Sequence, residues 1–218
     1  MHANTICAKA NQKLGFIKRN LKGTPEELKR LAYITLVRSS MEYACTVWDP
    51  ISLSKDSESL ERIQRRAARW IMRKFDHTAS VSSALLHQVY LEPLEERRRI
   101  SRLTFLYKVL HEHVAVSPAH LDLILADIPV RGTVTKQRLK ILRCWSSTTQ
   151  FQKSFVPRTI TKCNTLPDSI TSAASVSSFR TKASWALPHA RRRAHLTVIS
   201  LWSLATTFQI QIRSRISR

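Results

Sequence analysis

Apolar residues in this chain recur mostly at intervals of three and four, the spacing that lines one face of an α-helix, and alternating strand patterns are nearly absent. Gly23-Thr24-Pro25-Glu26 reads as a turn into a helix, with Thr24 as N-cap, Pro25 at the first helical position and Glu26 and Glu27 in the first turn. That helix places Leu28, Leu31, Ala32, Thr35 and Leu36 on one side, with Tyr33, Val37 and Met41 widening the stripe. It is expected to run to about Cys45, before Asp49-Pro50 stops it. A second helix is predicted over 54–74. Leu60, Ile63, Ala67, Trp70 and Ile71 share one face, and Arg62, Arg65, Arg66, Arg69 and Arg73 recur on the other. Residues 78–90 carry a helix-like set in Val81, Leu85, Leu86 and Val89. Pro93, with Glu95 and Glu96, then opens a third helix to about His111, cored by Ile100, Leu103, Leu106, Tyr107 and Leu110.

Between Ser117 and Gln150 the periodicity weakens. Pro118, Pro129 and Gly132 interrupt it, and V-R-G-T-V-T over 130–135 reads as a short strand or extended loop. The expected fold is therefore mainly α: a helical bundle over 1–113, a linker or irregular segment over 114–153, a smaller and looser helical block over 154–183, and a tail over 184–218.

Charge adds a partner class. Among 218 residues, 36 Lys and Arg face 15 Asp and Glu, a formal charge of +21 that repels itself in a compact chain unless a polyanion offsets it. No acid occurs before Glu26 or after Asp168, so both ends are wholly basic. Lys13, Lys18, Arg19 and Lys22, together with the arginine stripe Arg62, Arg65, Arg66, Arg69 and Arg73, form a first candidate surface for nucleic-acid phosphates. Glu58 and Glu61 stand at spacings that can pair with Arg62, Arg65 and Arg66, but two acids leave arginine in excess. Arg97, Arg98, Arg99 and Arg102 crowd the first half of the third helix, against its dipole unless an anion lies nearby, and form a second candidate patch.

Other chemistries find little. Cys7, Cys45, Cys144 and Cys163 are scattered without a C-x-x-C and read as thiols of a reducing compartment. Gly15, Gly23 and Gly132 are too isolated for a phosphate-cradling loop, and there is no Gly-x-Ser-x-Gly. His111-Glu112-His113 lacks metalloprotease spacing, and residues two apart on a helix do not face each other, so no metal is expected. Trp48 and Trp70 sit at the edges of apolar stripes and are expected to pack rather than stack on bases. Nothing resembles a secretory signal, so a nuclear or cytoplasmic location is expected. Residues 194–212 carry no charged side chain, yet their many Ser, Thr and Gln residues argue against a membrane span.

Several blocks carry a family likeness: K-L-G-F-I-K-R-N-L over 13–21, L-V-R-S-S-M-E-Y-A-C-T-V-W-D-P over 36–50, L-E-R-I-Q-R-R-A-A-R-W over 60–70, L-E-P-L-E-E-R-R-R-I-S-R-L-T-F-L-Y-K-V-L-H over 91–111, and S-F-V-P-R-T-I-T-K-C-N-T-L-P over 154–167. In this order they resemble the region downstream of the catalytic palm in LINE-type, non-LTR retrotransposon reverse transcriptases, especially the jockey-like ones. Cys163 stands where that family usually has Trp, which implies looser packing there. Beyond Ala183 the likeness ends.

The resemblance implies a thumb-like helical bundle that holds RNA–DNA template–primer, or another nucleic acid, behind the active site of an RNA-directed DNA polymerase. The palm itself would be a further partner. It also implies Mg2+ on paired palm carboxylates, but this sequence contains no Asp-Asp pair. No cofactor, small-molecule substrate or catalysis by this chain alone is therefore expected. Two other readings are a domesticated helical protein-interaction module and the product of a decayed element.

Overall fold

The computed structural model describes residues 2–50, 54–74, 79–121, 123, 141 and 148–186. The protein is mainly helical, and no strand occurs among the described residues. In chain order the elements are α1 (His2–Asn20), α2 (Glu26–Ala32), a π-helical segment (Tyr33–Arg38), α3 (Ser39–Glu42), α4 (Cys45–Trp48), α5 (Lys55–Ile71), α6 (Ala79–Gln88), α7 (Leu94–Leu110), a 3-10 turn (Pro118–Leu121), α8 (Thr149–Gln152), α9 (Phe155–Cys163), α10 (Asp168–Thr171) and α11 (Val176–Ala186). The expected strand or loop at 130–135, Cys144 and the tail from 187 onward lie outside the described residues.

The chain forms two compact units, each drawn from separated stretches. Among the described residues one comprises 2–5, 42–50, 54–61, 92–121, 123, 141 and 148–186, and the other 6–41, 62–74 and 79–91. The chain passes from one unit into the other inside α5.

In the second unit, Ala10, Leu14 and Ile17 give α1 a narrow buried stripe, and Leu85 of α6 and Val89 just beyond it are buried. Burying each large aliphatic side chain contributes about 1.5–3 kcal/mol. The helix opened by Pro25 buries Tyr33, Val37 and Met41 and leaves Thr35 and Leu36 exposed, which corrects the stripe expected from an ideal α-helical spacing. Residues four apart drift around a regular α-helix. The wider turn of the π segment takes up that drift and holds Tyr33, Val37 and Met41 on one face. The Tyr33 hydroxyl donates to Gln64 Oε1 at 3.1 Å, so this buried polar pair satisfies itself.

Thr24 does not cap that helix. Its hydroxyl donates to the Leu21 carbonyl at 2.9 Å, closing the end of α1, while Pro25 occupies the N-cap. Gly23, at φ 80, makes the turn between the two. Four later turns are made without glycine: Ala44, Arg73, Tyr90 and Glu112 take left-handed backbone at φ 48 to 55, each two residues beyond a helix end.

In the first unit α7 packs against α4, α9 and α11. Leu103, Leu106, Ile160, Leu166 and Phe179 build one core with Cys163, and Tyr107 stacks on Phe179 at 4.4 Å between ring centroids. Burial pushes the Cys163 thiol up to about 11, so it stays protonated at neutral pH. Asn164 fastens the distant Ile141 by accepting from its N–H at 3.1 Å and donating to its carbonyl at 2.8 Å.

Candidate nucleic-acid interface

The second unit collects the positive charge. Its stretches 6–41 and 62–91 hold fourteen Lys and Arg against three acids. Local chemistry arranges eight of these cations along α1 and α5. Lys18 and Arg19 occupy the last turn of α1, where cations complement the helix dipole. α5 begins with Asp56 and Glu58, is capped by the Ser54 hydroxyl accepting from the Ser57 N–H at 3.2 Å, and carries its arginines toward the other end.

The fold brings α1 and α5 together at their polar faces. Arg66 Nη1 donates to Asn11 Oδ1 at 2.9 Å. Lys18 is half-buried nearby. Burial, and then the charges of Arg66 and Arg69, hold its ammonium below the ordinary lysine value. The charges of Arg66 and Arg69 oppose that of Lys18, and an approaching phosphate offsets such repulsion. Lys13, Arg19, Lys22, Arg62 and Arg73 are exposed in the same unit, and Arg65 and Arg69 are partly exposed. Thus Lys18, Arg66 and Arg69 are drawn into one cluster, with the remaining six cations of the first candidate surface in the same unit.

The second candidate patch stands apart from the first. Arg97, Arg98, Arg99 and Arg102 belong to the other unit, and the anions beside them are the protein's own carboxylates. Arg97 pairs with Glu42 through two nitrogens and with Glu92 at 3.4 Å. Burial pulls its guanidinium down, but bonding and charge from those two acids lift it above the ordinary value. Arg99 pairs with Glu96 at 3.2 Å and Glu95 at 3.5 Å. Arg98, 1% exposed, donates to Asp49 Oδ1 at 2.7 Å and Ser57 Oγ at 3.2 Å. Arg102 Nε lies 3.0 Å from Asp49 Oδ2, and burial, with Arg158, Arg99 and Arg98 against the attraction of Asp49, holds its guanidinium below its ordinary value. At the N-terminus of α7, Glu61 Oε1 accepts the Glu95 N–H at 2.9 Å. Arg98 and Arg102 are thus buried against a carboxylate, whereas Arg97 and Arg99 are paired but partly exposed.

Four features escaped sequence reasoning. Arg158 joins the Asp49 cluster at 3.2 Å from across the chain, with no local signal. Asn11 and Gly15 stand four residues apart on the same face of α1 as Lys18, a spacing that was readable. Phe16 is 56% exposed on α1. Finally, an open hollow of about 640 Å³ in the first unit is lined by Lys108, His113, Arg180 and several hydroxyls.

Trp70 is covered by the Lys29 ammonium, 5.7 Å from its ring centroid. Trp48 Nε1 donates to the Tyr43 carbonyl at 2.8 Å. His111 and His113 have ring centroids 6.3 Å apart, with His111 tilted over Tyr107 at 4.1 Å. Among the described residues no group of three or more His, Cys, Asp or Glu comes together to hold a metal ion. The buried carboxylate Asp49, ringed by three guanidinium groups, is unfit to bind a cation. No helix among the described residues is long and apolar enough to cross a membrane. No protein-family model, curated protein or solved structure matches the chain.

Proposed function

We propose that this chain is the thumb-containing part of a LINE-type reverse transcriptase and grips template–primer nucleic acid through the α1–α5 face. The observation that supports this is the cluster of Lys18 with Arg66 and Arg69, two cations of α5 set beside a half-buried lysine of α1. The grip is independent of base sequence. Cations replace counterions on phosphate oxygens, and the released ions make affinity fall steeply with salt. The chain performs no chemistry in this role, because the palm's paired carboxylates are not in its sequence.

The test is binding of the full 218-residue chain to an RNA–DNA hybrid over a salt series. The comparison is a variant with Arg62, Arg65, Arg66, Arg69 and Arg73 all changed to Gln. Wild-type binding should weaken linearly on a log–log salt plot, with the variant's slope shallower by up to about 4. Equal slopes and affinities, with helical content unchanged, would sink the proposal. A protein-interaction role is the second reading, favoured by Tyr43 and Val47, which are 79% and 86% exposed.

A further inference from the structure

We infer that Gly15 opens a notch in the flank of α1 that seats one backbone phosphate of the bound nucleic acid, between Arg19 on one side and Lys18 with Arg66 on the other. This holds only if the nucleic-acid reading above does, and it adds to that reading a particular contact point.

Glycine is, after proline, the least favourable residue in a helix interior, and Gly15 lies well inside α1. Backbone conformation does not call for it, since Gly23 is the glycine with positive φ among the described residues. Packing does not call for it either. A Cβ placed on Gly15 would meet Arg19 Nη1 at 3.5 Å, an ordinary contact, and nothing else within 4 Å. The missing side chain therefore leaves space bordered by the end of the flexible Arg19 side chain rather than filled by a neighbouring helix.

That space has cationic walls. Asn11, Gly15 and Lys18 follow one another at helical spacing along one face. Asn11 fixes Arg66 over that face by the 2.9 Å hydrogen bond, and Lys18 is influenced by the charges of Arg66 and Arg69. Arg19 bounds the other side. A phosphate drawn in against bare backbone comes within reach of guanidinium and ammonium groups from both walls, and its negative charge offsets their mutual repulsion. A side chain at position 15 would hold the phosphate off the helix and lengthen those contacts.

Gly15→Ala and Gly15→Leu in the full chain test this, with binding to the same RNA–DNA hybrid over a salt series and thermal melting followed by circular dichroism. Melting should rise by about 2–4 °C for Gly15→Ala, as alanine favours the helix. Affinity should nevertheless fall, by about 3-fold for Ala and about 10-fold for Leu, with the Leu variant's salt slope reduced by about 1. A folded Gly15→Leu chain that binds like wild type would overturn the notch and leave the proposed function standing. If the Leu chain does not fold, unchanged binding by Gly15→Ala overturns it instead. Absence of wild-type binding overturns the proposed function and the notch together.

Discussion

Removing the charge of Asp49 should cost this protein more stability than any surface charge change. Asp49 is 5% exposed and is approached by Arg98 at 2.7 Å, Arg102 at 3.0 Å and Arg158 at 3.2 Å. Arg98 and Arg158 make hydrogen bonds to it, whereas the Arg102 Nε, though close, is not aligned as a donor. A hydrogen bond to a charged group contributes about 1.5–3 kcal/mol. Stripping one partner from a buried pair costs about 3–5 kcal/mol, because the other charge is left uncompensated. Asp49→Asn keeps the shape but leaves three cations facing a neutral amide, with Arg98 only 1% exposed and so unable to recover water. The expected loss is about 4 kcal/mol, or a melting temperature lower by about 8–16 °C. Glu42→Gln is the comparison. It removes one of the two carboxylate partners of Arg97, where the Arg97 and Glu42 side chains are near 20% exposed and the loss should be about 1 kcal/mol or less. Urea unfolding of both variants, followed by helical signal, decides the matter. A loss below about 1 kcal/mol for Asp49→Asn would show that Arg98 and Arg102 do not depend on Asp49 and would reopen them as ligand-binding groups.

Two further outcomes follow from local geometry. Glu112→Gly should raise stability by about 1 kcal/mol, because Glu112 ends α7 in left-handed backbone at φ 55, with the His113 N–H on the Lys108 carbonyl at 2.8 Å; Glu112→Ala should bring no such gain in urea unfolding. Burial, and then the charge of His113, hold His111 below its ordinary 6.5, so the unfolded chain binds the proton more readily and stability falls as pH drops through about 6.5. Melting measured at about pH 7.5 and about pH 5.5 should show a smaller loss in His111→Gln than in wild type, and equal losses would refute the assignment.

What the sequence by itself determined is local. Pro93 followed by two glutamates starts α7, and the apolar stripe from Leu60 to Ile71 with arginines opposite makes α5, because helix nucleation and amphipathicity depend on residues within a turn or two. The basic character of α1 and α5 was legible for the same reason, as was the mainly helical class. Thr24 was misread because its hydroxyl can serve either the helix before it or the helix after it, and the turn at Gly23 chooses the former. Only the tertiary structure decided which arginines are buried against carboxylates. Arg65 and Arg98 look alike in sequence, each in a run of cations with glutamates a few residues away, yet of the two Arg98 alone is buried. The difference is Asp49, which lies 49 residues from Arg98 and 109 from Arg158 and meets both only when α4, α7 and α9 pack. Charge that is free along the chain becomes committed in the fold, because a buried guanidinium must find its counter-charge wherever packing places one.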